Sequence, residues 1–332
     1  MKKFVIFSTI IALGLSALLG YGLWYKSSET EIIFSLSEES TPSEITEQWP
    51  FDSFWKQSFV AGCMLKRLHH IPAGKYKINS NMSPIDVIHM LRRKEQIDIL
   101  IRIDLTNQSD SLFKLLGQEL GQEALQYQNA FDSAFHSEYP EPNANIRTTY
   151  FFADTYAFTY QEDAKKTANR FHQFFLDFWT ADRLNKQKEL GLTKEEVYIL
   201  ASMVKGETKV LSEATTIAGL YINRLRKPMK LQCDATVKYA LELKNAQRIL
   251  KQDLNHNSPY NTYLIDGLPP GPIFITEKKY LDAVLNYQKH NFFYMCADDD
   301  GSGKHLFTSS FDEHQNNARQ YQKYLNGLKI MR

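Results

Sequence analysis

The chain has 332 residues, of which 43% are apolar and 23% charged, and its formal net charge is +1. That length suits two or three compact units with real cores, and the near-neutral balance excludes the basic field that holds nucleic acid. The 18 Tyr, 21 Phe and 4 Trp suit either packed cores or a sugar-facing surface, while Cys63, Cys233 and Cys296 are an odd, scattered set that argues against a disulfide framework or a zinc cluster.

The N-terminal stretch "MKKFVIFSTIIALGLSALLGYGLWYK" holds an uncharged run from Phe4 to Trp24. About 20 such residues cross a bilayer core as a helix. Lys2 and Lys3 precede the run, which predicts a cytoplasmic N-terminal end and a single-pass anchor, with Trp24 and Tyr25 at the far interface. The rival is a cleaved signal peptide, but no clean small-x-small site follows. Residues 1–25 are therefore read as cytoplasmic end and transmembrane anchor, in a cytoplasmic (inner) membrane, with the bulk outside the cytoplasm.

Residues 26–49 are rich in Ser, Thr and Glu and read as a stalk leading to a first strand at Ile32–Leu36. Residues 50–96 form a small strand-helix module. In it Tyr76–Ile78 is a short strand, Ser83 an N-cap, Pro84 the first helical residue and Asp86 an acid at the positive helix end. Residues 97–191 are a middle strand-helix section. "IDILIRIDL", Ile97 to Leu105, alternates as a half-buried strand does. Helical patterns cover Leu112 to His136 and Asp163 to Phe178. The aromatic "YFFADTYAF" between them reads as a loop, with Asp154 a turn or cap residue.

The last unit, 192–332, opens with a capping box of Thr193 and Glu196 and a staple of Leu192 with Val197. Val197, Leu200, Ala201 and Val204 form an apolar stripe, and Glu207 falls at its border in the last turn, beside Gly206. A helix C-terminus and partial burial both disfavour an anion, so this carboxyl is predicted to hold its proton unusually well, as a general acid must. The bland alternative is a solvated glutamate paired with Lys205 or Lys209.

Five segments in order carry a family signal: "ASMVKGET", "AGLYINRL", "LQCDATVKYAL", "SPYNTYLIDGLPPGPI" and "GKHLFTSSFDEH". Together they resemble the endolytic murein transglycosylases, the MltG or YceG-like family, over roughly Glu196 to Gln315. Ala73 to Lys94 resembles that family's LysM-like module more weakly. The resemblance puts the family's catalytic glutamate on Glu207. Three positions depart from the pattern: Lys205 stands where the family has an acid, Gln315 where it has Asn, and Ala153 where it has Pro. A lysine so close would favour the ionised form of Glu207.

The resemblance implies lytic, non-hydrolytic cleavage of the MurNAc–GlcNAc β-1,4 bond within peptidoglycan strands. One carboxyl serves as acid and then base, and the product carries a 1,6-anhydroMurNAc end. It also implies peptidoglycan synthases as partners, a role in ending nascent strands, and no cofactor. Candidate sugar contacts are Asn223, Gln232, Asp234, Thr236, Tyr239, Tyr260, Asn261 and Tyr263. Asp234 also suits the N-cap of the following helix, and Thr236 and Tyr239 lie one turn apart on it. His305 has no assigned role. The fold class read here is α+β: an N-terminal transmembrane helix, a small LysM-like module and a C-terminal mixed α+β catalytic domain. Two alternatives stay open, a glycan hydrolase with Asp234 or Glu213 as second carboxylate, and a non-catalytic wall-binding scaffold.

Overall fold

The computed structural model describes residues 2–26, 31–103, 109–243 and 248–328. They form a mixed α+β structure of helices and two-stranded sheets. Contacts divide the chain into two compact units. One takes in Met1–Ile101, Leu116–Glu123 and Ala157–Asp163, the other Arg102–Leu115, Ala124–Tyr156 and Ala164–Arg332.

The first unit starts with α1 (Lys2–Trp24), followed by β1 (Ile32–Leu36), α2 (Pro42–Glu47), α3 (Ser53–Leu65), β2 (Gly74–Ile78) and α4 (Pro84–Arg92). Among the described residues no helix is long and apolar enough to cross a membrane. Leu23 and Tyr25, at the end of α1, pack on the unit's core instead of standing free. β1 pairs antiparallel with β2, Ile32 opposite Ile78 and Leu36 opposite Gly74. The strand expected to close a stalk is thus structural in this unit, as the sheet partner of β2. Ile45 and Trp49 of the presumed stalk join Trp55, Phe59, Tyr76 and Ile88 in one core. Stalk residues 27–30 lie outside the described set. α4 begins as read: Ser83 Oγ accepts the Asp86 N–H, and Asp86 returns a bond to the Ser83 N–H at 2.9 Å.

β3 (Ile99–Ile103) alternates buried and exposed residues as expected, and it pairs with β4 (Asp154–Phe158). The last two residues of the expected strand, 104 and 105, lie outside the described set. The helical run expected over Leu112–His136 is two helices, α5 (Ser109–Leu120) and α6 (Ala124–Ala134); α7 (Ala144–Arg147) follows. "YFFADTYAF" is only half loop, since its second half is β4. Thr155, Tyr156 and Phe158 are good strand formers once β3 supplies an edge. Asp154 keeps a turn-like role, with Oδ1 accepting the Thr155 N–H at 2.8 Å.

In the second unit, α6 and α8 (Ala164–Phe178) clasp an aromatic core. Phe135 stacks on Tyr150 at 4.2 Å between centroids, and Phe131 meets Phe151 at 5.0 Å. After α9 (Ala181–Leu190) comes α10 (Lys194–Glu207). It is wrapped by α11 (Leu211–Leu225), α12 (Asp234–Ala240) and α13 (Lys278–Leu285). Every residue of α10 from Val197 to Val204 is buried, so its predicted stripe widens to the whole circumference. β5 (Tyr294–Ala297) and β6 (His305–Thr308) make an antiparallel hairpin that carries α14 (Phe311–Gly327).

Candidate active site

α10 is a buried rod that presents one carboxyl at its end. Its start is fixed by the predicted capping box: the Glu196 N–H donates to Thr193 Oγ1 at 3.2 Å, and the Thr193 N–H to Glu196 Oε2 at 2.7 Å. Inside it, Ser202 Oγ donates to the Ile199 carbonyl and accepts the Ile273 N–H. That second bond pins the rigid "GLPPGPI" loop to the helix. Glu207 is the last helical residue and is half-buried; Thr208 leaves in extended conformation. A Cβ on Gly206 would run into Ala235 Cβ, so this glycine is what lets α12 lie against the end of α10.

Three neighbours close on Glu207. The Tyr221 hydroxyl, from α11, donates to Oε1 at 2.9 Å. The buried Cys233 thiol hydrogen-bonds to the same carboxylate, and the Asp234 carboxylate adds a second negative charge nearby. Burial raises the Glu207 pKa above the ordinary carboxyl value, and Asp234 raises it further. The hydrogen bonds from Cys233 and Tyr221 and the proximity of His305 pull the other way, and the net direction is up. Burial also lifts the Cys233 and Tyr221 pKa values well above normal, so both remain protonated donors near neutrality.

Lys205 does not act as feared. Its Nζ lies 3.5 Å from Glu277 Oε1 and 3.2 Å from the Tyr280 hydroxyl, over that tyrosine's ring. Two residues back along a helix is about 200° around it, so the ammonium serves the opposite side.

Asp234 and Tyr263 do meet at the acid. The Tyr263 hydroxyl donates to Asp234 Oδ1 at 2.6 Å. Asp234 is not the N-cap of α12; Cys233 holds that position, and Asp234 is the first helical residue. Gln232 is exposed, in the left-handed region at φ +50°. Tyr239 and Tyr260 form a pair of rings 4.7 Å apart, and the Tyr260 hydroxyl donates to Asn145 Oδ1. Both are half-buried, so part of each side chain stays exposed.

Three expected sugar contacts are engaged elsewhere. Thr236 is fully buried; its hydroxyl donates to the Cys233 carbonyl at 2.7 Å and lies 2.9 Å from Thr262 Oγ1. Asn261 is fully buried too, and its amide donates to the carbonyls of Leu254 and His256. Asn223 donates to the carbonyls of His290 and Phe292 at 2.8 and 3.1 Å. All three side chains satisfy loop backbone that no ladder serves.

Two groups were missed in the sequence. Tyr221 falls within the "AGLYINRL" segment but has no role in the sequence reading, yet a tyrosine hydroxyl must find a partner when buried, and that requirement was readable. Cys233 lies between two candidate contacts and carried no other signal. Glu213, in the first turn of α11, accepts from the His305 N–H at 2.8 Å and lies 3.3 Å from His305 Nδ1. That pair ties the β6 end close to Glu207. The cysteines are free, and among the described residues no group of three His, Cys, Asp or Glu is arranged to hold a metal ion.

A half-buried carboxyl with a raised pKa, beside two neutral donors and one carboxylate, is an arrangement suited to acid–base chemistry. The chain belongs to the YceG-like family, whose family model matches residues 34–320. It is similar to proteins named endolytic murein transglycosylase. The one from Bacillus subtilis is 31% identical over 186 residues, which are 54% of this chain and 50% of that protein. The one from Streptococcus pneumoniae (serotype 2, strain D39) is 30% identical over 138 residues, 40% of this chain and 25% of that protein. The chain thus spans half or less of the length of these relatives. The crystal structure of a YceG-like protein from Listeria monocytogenes shares the fold, with a TM-score of 0.57 at 20% identity over 87% of this chain and 99% of that one.

Proposed function

We propose that this chain is an endolytic lytic transglycosylase that cuts the MurNAc–GlcNAc β-1,4 bond within peptidoglycan strands, with Glu207 as its single acid and base. The observation that carries this reading is the desolvated, proton-retaining Glu207 carboxyl at the end of a rigid buried helix. Family membership and the names of the curated relatives support it.

Glu207 in its protonated form gives its proton to the glycosidic oxygen, and the C1–O bond breaks. The carboxylate left behind takes the proton of the MurNAc 6-hydroxyl, whose oxygen bonds to C1. The acid is restored, and the new end is a 1,6-anhydro ring. The 6-hydroxyl is tethered to the reacting carbon, which gives it a high effective molarity over water. Tyr221 and Cys233 hold the carboxyl in place. Tyr263, Gln232 and the Tyr239–Tyr260 platform are the candidate sugar contacts.

A second reading has one observation behind it. Asp234 stands close enough to raise the Glu207 pKa, so a two-carboxylate hydrolase has a partner available. Mass spectrometry of the fragments separates the two. The lytic reading expects ends lighter by one water and inert to borohydride; reducible ends carrying oxygen from labelled water would establish hydrolysis.

The remaining parts follow from the same proposal. Residues 1–25 anchor the protein in the cytoplasmic membrane in a single pass, and 192–332 act outside the cytoplasm. Residues 50–96, with β1 and α2, form a LysM-like glycan-binding module. The middle section 97–191 links it to the catalytic part, and peptidoglycan synthases are the proposed partners. Retention in membranes after a carbonate wash tests the anchor; recovery of a shortened soluble chain would point to a cleaved signal.

A further inference from the structure

A cavity of about 640 Å³ opens in the second unit, and none of the side chains gathered at Glu207 lines it. That is the size of a small-ligand site. Its charged lining is lopsided: Lys186, Arg226 and Lys289 against the lone carboxylate Glu189. Lys186 is held by Asp182 at 2.7 Å, outside the lining. Neither Arg226 nor Lys289 has a carboxylate within ion-pair distance among the described residues. Buried Leu285 is an apolar member of the same lining.

The wall of this cavity is built and not merely open. The segment 287–291 is fastened along α11. The Gln288 N–H donates to the Thr215 carbonyl at 3.0 Å, and Thr216 Oγ1 to Gln288 Oε1 at 2.7 Å. His290 Nδ1 accepts the Phe292 N–H, which leaves its Nε2–H to donate to the Thr216 carbonyl at 2.9 Å. That tautomer is neutral and already committed, so the ring is structural. A Cβ on Gly219 would run into the Gln288 carbonyl and His290 Nε2, so only glycine admits the segment this close to the helix. Arg226 is also preset. Its Nη1 donates to the Tyr287 hydroxyl at 3.0 Å and the guanidinium lies 5.5 Å from that ring's centroid. Nε and Nη2 are left as donors toward a ligand.

A guanidinium fork held by Tyr287, in one cavity lining with an ammonium that has no carboxylate partner among the described residues, is the chemistry that grips planar or tetrahedral oxyanions. From this we infer that the cavity is a second binding site, for a small oxyanion of carboxylate or phosphate type, held by Arg226 and Lys289. Carboxylate could come from a peptide terminus and phosphate from a phosphorylated polymer or free anion. The inference does not depend on the glycan-cutting proposal, and its test reads binding directly.

The test is calorimetric titration of the full chain in detergent with three probes: an N-acylated dipeptide with free C-terminal carboxylate, its C-terminal amide, and inorganic pyrophosphate. Saturable binding of the free acid assigns the carboxylate source, and saturable binding of pyrophosphate the phosphate source. In either case added salt should weaken it, and the amide should stay silent. The double variant Arg226→Gln/Lys289→Gln should bind about tenfold or more weaker. Both side chains are exposed, so the variant should melt with the parent, which separates lost binding from lost fold. Silence from both anions, or binding that persists unchanged in the double variant, overturns the inference.

Discussion

The Tyr221 hydroxyl donates to Glu207 Oε1 at 2.9 Å, joining the C-terminal half of α11 to the last residue of α10. A hydrogen bond to the ionised carboxyl favours that form, so Tyr221 holds the Glu207 pKa lower than burial alone would. Tyr221→Phe keeps the ring and removes the bond. The Glu207 pKa should then rise. Activity that needs the protonated acid is lost as pH climbs through that pKa, so the alkaline limb of the pH–rate profile should move to higher pH. Turnover at the optimum should fall by up to about tenfold, the worth of one such bond. A limb that stays in place would remove Tyr221 from the site.

Glu207→Gln should lower glycan cleavage by about 10²–10⁴-fold, the usual scale of general acid–base catalysis. Turnover near that of the parent would sink the assignment.

The same substitution should have a signature in stability. An unfolded carboxyl titrates near about 4.3, and the folded value lies above it. The fold therefore prefers the protonated form. That contribution is fully present below about pH 4.3 and is lost as pH rises through the folded value. Gln cannot ionise and escapes the loss. Glu207→Gln should thus melt at or above the parent at pH 7, with the gap closing in acid. A variant melting below the parent at pH 7 would mean the carboxyl is needed in its charged form.

Arg224 is nearly buried, donating from Nε to the Phe293 carbonyl at 2.7 Å and from Nη1 to the Leu231 carbonyl at 2.8 Å. It also reaches the Gln232 side chain at 3.4 Å. Gln232 is the left-handed residue just before Cys233, a conformation that persists only where its surroundings impose it. Arg224→Met should therefore cost about 3 kcal/mol through the orphaned carbonyls. Arg224→Lys should recover part of this but lack the fork. Both should depress kcat more than KM in the cleavage assay, because Cys233 and Asp234 shift against Glu207. Unchanged kcat in a folded variant would make the clamp purely structural.

What the sequence made legible was local. Thr193 with Glu196, Ser83 with Pro84, and the alternation of Ile99, Ile101 and Ile103 each specify an element within a few residues, and each formed. Glu207 was legible locally as a helix-end acid beside a glycine, but its selection as the catalytic group rested on the family resemblance. Long-range satisfaction was not. Thr236 and Asn261 look like sugar contacts because they are small polar residues near loops, but the carbonyls that claim them are fixed only by the tertiary path. β1 read as the end of a stalk because its partner lies some forty residues away at β2. The opposite heading of Lys205 was readable from helical angle alone and was not read.

The relation between Asp234 and Glu207 yields the most discriminating prediction. Asp234 is the first residue of α12, where the helix favours an acid, and it accepts the Tyr263 hydroxyl at 2.6 Å. Its charge raises the Glu207 pKa. Under the lytic reading Asp234 only tunes the acid and orients Tyr263. Asp234→Asn removes the charge, keeps an acceptor for Tyr263, and should lower the Glu207 pKa. The alkaline limb should then move to lower pH, opposite in sign to Tyr221→Phe. Rate should fall modestly at the optimum, and every product end should remain 1,6-anhydro. Under the hydrolytic reading the same variant loses its nucleophile or base, and cleavage should collapse by about 10²-fold or more at all pH values. Profiles of both variants, with borohydride reduction and mass spectrometry of their fragments, decide between a neighbour that adjusts one acid and a second carboxylate that shares the chemistry.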